Sequence, residues 1–238
     1  MRQNILAAVV LTAAAVSSTG PVMAQDAGVD WSGAYAGLFG ARNNSDIGVV
    51  DLDGIGGVGQ FVDFSAEGSE VGGLVGYNFQ RGNLIYGVEL SLANGGAAGN
   101  LVVDTNFLDE TLEWQVKSSA TLTARVGTIV GQTLFFGSAG LARSKVHYGY
   151  QNYADDLVTV QDDNRIDSTF NGYVLGVGLE HALSARLIFR TEVLHSEFSS
   201  QTLDLLPGVG PVEYSPSNTA VRIGLVMNLT DCPAVSPA

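Results

Sequence analysis

The stretch Gly172-Tyr173-Val174-Leu175-Gly176-Val177-Gly178-Leu179-Glu180-His181-Ala182-Leu183 decides the fold. Tyr173, Leu175, Val177, Leu179 and Leu183 fall on one face of a two-residue period, with His181 as the polar intruder. Gly172, Val174, Gly176, Gly178, Glu180 and Ala182 fall on the other. That period is the mark of a strand with two unlike faces. The segment 84–92 repeats it: Leu84, Tyr86, Val88, Leu90 and Leu92 oppose Ile85, Gly87, Glu89 and Ser91. So does the last one, where Thr219, Val221, Ile223, Leu225, Met227 and Leu229 oppose Ala220, Arg222, Gly224, Val226 and Asn228.

Extending the pattern predicts eight strands, at 30–42, 69–80, 83–93, 113–129, 133–150, 166–182, 185–198 and 218–229. Short connections lie near Gln80-Arg81-Gly82-Asn83, Val130-Gly131-Gln132 and Leu183-Ser184, and long ones at 43–68, 94–112, 151–165 and 199–217. Alternating short and long links fit an antiparallel up-and-down sheet with one trimmed end and one looped end. No longer internal repeat stands out, so 25–229 reads as one domain.

The faces decide the environment. A soluble, lipocalin-like barrel keeps its apolar face inside, and an outer-membrane barrel turns it outward around a polar interior. The polar faces here carry Glu89, Arg125, Glu180, Arg190, Glu192 and Arg222 among Gly and Ser. Small residues and ion-paired long ones suit the narrow lumen of eight strands. The expectation is an all-β, eight-stranded antiparallel up-and-down transmembrane β-barrel. Its interior holds a ladder of those six charges that closes any wide pore. Trp31, Tyr77, Phe79, Trp114, Tyr148, Phe189 and Phe198, near strand ends, are expected to form lipid-facing girdles.

Composition agrees. There are 30 glycines in 238 residues, nearly twice the usual share. They divide between inward positions (Gly87, Gly176, Gly178, Gly224) and the first long loop (Gly54, Gly56, Gly57, Gly59). With 46% hydrophobic residues the chain is no disordered acidic tail. A single Cys cannot pair within the chain. The net charge of −13, with Lys117 and Lys145 the only lysines, speaks against nucleic acid as a partner. Residues 1–24 read as an export signal: Arg2, the apolar run Ile5–Val16, then Val22-Met23-Ala24 before the cut. Its removal takes Arg2 and leaves a charge of −14.

Trp31-Ser32-Gly33-Ala34-Tyr35-Ala36-Gly37 resembles the W-x-G-x-Y-x-G opening of small outer-membrane β-barrel proteins of alphaproteobacteria, a porin-like group related to the OmpA membrane domain. Gly176-Val177-Gly178-Leu179-Glu180-His181-Ala182-Leu183, followed by Arg190-Thr191-Glu192-Val193-Leu194, is similar to a hairpin of that family. Asn218-Thr219-Ala220-Val221-Arg222-Ile223-Gly224-Leu225 resembles its closing strand. The resemblance implies an outer-membrane barrel without catalysis. Outer-membrane lipid, lipopolysaccharide and the barrel-assembly machinery are then the partners expected, with an unnamed extracellular partner beyond them. The chain departs from the family at its end. Asn228-Leu229 replaces a terminal aromatic, a tail at 230–238 with Cys232 follows, and His181 and His195 stand where Tyr is usual.

Other motifs carry less. Gly54-Ile55-Gly56-Gly57-Val58-Gly59 fits G-x-G-x-x-G but has no helical pattern after it, so it reads as a loop. His195-Ser196-Glu197 has the residue types of a hydrolase, yet neighbours in a strand point to opposite faces. The three His are isolated, so zinc spacing is absent and no cofactor is expected. Asp155, Asp156, Asp162 and Asp163, with Asp167, crowd one long connection. Asp104, Asp109, Glu110 and Glu113 crowd another. Such carboxylates read as an anionic outer surface, with Ca²⁺ or Mg²⁺ binding as the sharper alternative. The functional expectation is a structural or surface-interaction protein of the envelope. A narrow channel for ions or small solutes is the alternative, and a lipid A-modifying hydrolase a third.

Overall fold

In the computed structural model, residues 29–52, 61–105, 108–153, 160–203 and 212–230 are described. The strands are β1 (Gly33–Asp51), β2 (Phe61–Arg81), β3 (Leu84–Thr105), β4 (Leu108–Val130), β5 (Thr133–Tyr153), β6 (Val160–Ala182), β7 (Leu187–Phe198), β8 (Gln201–Leu203) and β9 (Val212–Asn228). Each pairs antiparallel with its neighbour, and β1 pairs with β9, closing the sheet. β8 extends β7 along β9 after a break at 199–200, so the barrel has eight staves, as the alternation predicts. No helix among the described residues is long and apolar enough to cross a membrane.

Partners followed once around the barrel from Tyr35 pass through Gly76, Glu89, Thr123, Gly140, Val174, Ser196 and Asn218. They return to β1 at Ser45. The shear is therefore ten residues. Spread over eight staves, it raises each step along the hydrogen bonds by about one and a quarter residues and tilts the strands about 40°. Side chains of equal height can be assigned from this.

The outward band is apolar. Leu84, Tyr86, Val88, Leu90 and Leu92 of β3, and Val221, Ile223, Leu225 and Met227 of β9, are all exposed. Their opposite-parity neighbours Ile85, Glu89, Ser91, Arg222 and Val226 are buried. An exposed band this uniform matches the lipid-facing belt of outer-membrane barrels. Two hairpins at one end turn in two residues, with Arg81 paired to Leu84 and Val130 to Thr133. Gly82 (φ 61°) and Gly131 (φ 62°) supply the positive φ that such primed turns need. The chain enters β1 and leaves β9 at this same end, where Tyr35 pairs with Asn228.

Two expectations need correction. The strands overrun their predicted upper ends: 43–51, 61–68, 94–105, 108–112, 151–153, 160–165, 201–203 and 212–217 are strand rather than loop. Above the bilayer both faces can be polar, so pairing continues there while the apolar alternation that marks a strand disappears. The aromatic girdle is also smaller. Tyr77, Phe79 and Phe189 face outward, and Phe79 stacks on Tyr86 with ring centroids 5.3 Å apart. Trp31, Trp114 and Tyr148 are buried inside, and Phe198 is half-buried against the inner core. Proposed residues 1–24, the Gly54–Gly59 motif, Asp155, Asp156 and Cys232 lie outside the described residues.

Candidate functional site

The lumen is filled in layers. At the short-turn end Trp31, Ile85, Leu134, Ala182, Ile188 and Val226 form an apolar floor. The segment ahead of β1 is tied across it. The Trp31 amide donates to Gln80 Oε1 (2.8 Å), Asn78 Nδ2 donates to the Trp31 carbonyl (3.2 Å), and Asn228 Nδ2 donates to the Asp30 carbonyl (3.1 Å).

Above the floor lies the charge cluster. The Arg190 guanidinium of β7 spans to Glu89 of β3, Nη1 to Oε2 at 2.5 Å and Nη2 to Oε1 at 2.9 Å. Arg190 also reaches Glu192 (3.1 Å) and Glu180 (3.3 Å). Arg125 of β4 reaches Glu180 at 3.0 Å and Glu89 at 3.4 Å. The Tyr35 hydroxyl accepts from Arg125 (3.0 Å) and donates to Glu89 (2.8 Å). Both guanidinium groups lie over the Phe136 ring, 4.1 and 4.8 Å from its centroid. All five charged side chains are at most 5% exposed. Buried charges are tolerated when paired and hydrogen-bonded, and every carboxylate here meets a guanidinium.

Arg222 stands apart from that group. It contacts Glu70 (3.4 Å) and Ser91 Oγ (3.2 Å) and lies 4.4 Å from the Phe39 ring centroid. Glu70, which also accepts from Ser119 Oγ (3.1 Å), is absent from the six-residue ladder read in the sequence. Its signal is parity: Val71, Val75, Tyr77 and Phe79 face outward, so 70 shares the inward face with Leu74 and Asn78. The structure thus groups five of the six residues and pairs the sixth with a residue outside the set.

Glycines make room for this layer. A Cβ on Gly76 would strike the Tyr35 ring, and one on Gly178 the Phe136 ring. Gly72 does the same for the Phe39 ring, while a Cβ on Gly224 would strike the Leu38 carbonyl next to it.

Over the Arg222–Glu70 pair lies a cavity of about 40 Å³, lined by Asn43, Ser144, Ser196 and Asn218 below Trp114 and Phe170. An aromatic lid lies over it. Trp114 and Tyr148 meet edge to face at 4.8 Å, and Tyr148 meets Tyr214 at 5.2 Å. The lid stands above the apolar band. Burial pushes the Tyr214 phenol up to about 12, and pushes Tyr148 higher still, helped by the neighbouring Tyr214.

On the outer surface, His195 Nδ1 meets Thr219 Oγ1 (2.9 Å) and Nε2 meets Glu197 (3.1 Å). Ser196 is buried on the opposite face, so the two do not meet. Asp162 and Asp163 lie in β6, paired with Asn152 and Gln151 of β5, not in a loop. Asp167 accepts from His147 Nδ1 (2.7 Å) and Lys145 Nζ (3.0 Å), and these hydrogen bonds hold its carboxyl below the usual range.

Known proteins agree with this architecture. The family described as outer membrane protein beta-barrel domain matches residues 11–228. The 31 kDa outer-membrane immunogenic protein of Brucella melitensis biotype 1 is 27% identical over 179 residues, 73% of either chain. The 22 kDa outer membrane protein of Rhizobium leguminosarum bv. viciae is 28% identical over 196 residues, 82% of this chain and 77% of that one. The outer membrane protein OprG of Pseudomonas aeruginosa superposes with a TM-score of 0.50 at 14% identity, covering 82% of this chain and 95% of its own.

Proposed function

Since the chain belongs to the outer-membrane protein β-barrel family, and so sits in the bacterial outer membrane, we propose that it is a non-catalytic, non-conducting barrel with a structural and surface-interaction role in the envelope. The observation that carries this reading is the filled lumen. Apolar floor, charge cluster and aromatic lid succeed one another along the axis. In this reading the short turns face the periplasm and the long hairpins face outward. The barrel-assembly machinery inserts the chain, lipopolysaccharide surrounds it, and residues 1–24 are removed on export. The six sequence-predicted charges, with Glu70, brace the wall rather than conduct.

Single-channel recording of refolded protein in planar bilayers tests it; no discrete steps are expected. A narrow channel is the second reading, supported by the cavity beside Arg222. Openings of steady size would establish it and overturn the sealed barrel. Lipid A mass spectra that lose an acyl chain only when the gene is present would overturn the non-catalytic reading.

A further inference from the structure

We propose that the outer face of β4 and β5 seats the anionic headgroup of an outer-leaflet lipid, held by Lys117, Arg143 and Lys145. The inference rests on the orientation above, with the long hairpins outside. The upper edge of the apolar band on these staves is Leu122 of β4, Leu141 of β5 and Tyr173 of β6, all exposed. Arg143 and Lys145 are the next outward positions after Leu141, and Lys117 sits on the neighbouring stave at nearly the same height. That height is where apolar tails give way to headgroups. Arg and Lys there lay their stems on the apolar wall and lift their charge to the interface.

Lys117 is placed by a bulge. Val116 pairs with Val146 and Ser118 with Lys145, leaving Lys117 as the extra residue beside Lys145. Bulges re-aim side chains in this way. Here the result brings two like charges together, an arrangement that costs free energy unless an anion offsets it.

Among the described residues the local carboxylates are too few to do so. Lys145 has Asp167, which His147 shares. Lys117 has only the neutral Gln115 side chain. Arg143 lies across from Ala120 and Asn171. Among the described side chains Glu113 is the other acid on this face, and it stands well above, level with Gly149. Elsewhere the rim is balanced: Arg42 is neutralised by Glu67 at 2.8 Å, and β7 presents His195 beside Glu197. In a chain of net charge −13, this is a local cationic face that opens sideways onto lipid. Phosphate or carboxylate on a sugar headgroup fits it, with Arg143 as the forked donor and the lysines as point charges.

The test uses the full chain, refolded into bilayer nanodiscs of phosphatidylcholine containing lipid A, with retained lipid A measured after detergent washing. Wild type is expected to retain at least about tenfold more than the triple variant Lys117→Ala/Arg143→Ala/Lys145→Ala. Arg42→Ala is expected to match wild type. An unchanged heat-modified gel shift shows that the triple variant is folded; equal retention by that folded variant overturns the proposal. Loss of lipid A to inorganic phosphate at equal concentration would make the ligand free phosphate and overturn the lipid assignment. Orientation is read separately. Arg143→Cys, in a Cys232→Ser chain, is expected to react with a membrane-impermeant thiol reagent on intact cells. Its failure to react overturns the orientation instead.

Discussion

Arg190 and Glu89 join strands on opposite sides of the barrel through two parallel hydrogen bonds, at 2.5 and 2.9 Å, across the lumen. The pair is a strut, and each partner is 5% exposed. Removing one member of a buried pair costs about 3–5 kcal/mol, because the other charge is stranded. Glu89→Ala is therefore expected to shift the urea midpoint strongly. Glu89→Met/Arg190→Met is expected to lose less than the sum of the two single changes, although it leaves Glu192 without its guanidinium. A double variant that falls by the sum of the singles would show the two groups act independently.

Arg222 gives a second comparison. Its Glu70 contact is long, at 3.4 Å, but both side chains are at most 7% exposed. The Arg42–Glu67 bridge is shorter, at 2.8 Å, with about two thirds of each side chain in solvent. Burial, not length, decides which matters: exposed pairs contribute about 0–1 kcal/mol. Arg222→Ala is expected to lower the unfolding midpoint more than Arg42→Ala does. Equal midpoints would contradict the interior role.

The inward glycines differ in what crowds them. At Gly76 the obstacle is the Tyr35 ring, held by Arg125 and Glu89, together with a backbone carbonyl. At Gly176 the nearest atoms are the ends of the Leu194 and Ser138 side chains, which can turn aside. Gly76→Ala is expected to cost about 1–3 kcal/mol by overpacking, and Gly176→Ala clearly less. Reversed order in urea unfolding would show that Tyr35 has more room than the geometry gives it.

What the sequence reveals of this fold depends on lipid. Where a strand crosses the bilayer, one whole face must be apolar, and Leu84 to Leu92 or Val221 to Leu225 announce both strand and face. Above the bilayer that pressure ends, so 43–51 and 94–105 look like loop while they pair as strand. The bulge at Lys117 also hides Trp114. Arg125 is inward at an odd number and Trp114 at an even one, because the extra residue inverts the phase between them. The interior acids and bases were legible from parity. Their partners were not: which carboxylate meets Arg222 depends on the ten-residue shear, and no single strand displays that.

The lid offers a pH test. Tyr214 is 4% exposed, and burial raises its phenol from 10.0 to about 12. Below pH 10 the hydroxyl is protonated in folded and unfolded chains alike, so titration has no effect on stability. Between pH 10 and 12 the unfolded chain releases this proton and the folded chain keeps it. The unfolded state gains, and folding stability falls as pH rises through that window, by on the order of 2–3 kcal/mol at pH 12. Tyr148, raised further by burial, adds to the same fall. Unfolding midpoints measured from pH 9 to 12 are expected to drop steeply in wild type. They should drop much less in Tyr148→Phe/Tyr214→Phe, which has no phenol to titrate at the lid. Parallel curves for the two proteins would place the ionising groups elsewhere and leave the lid open to water.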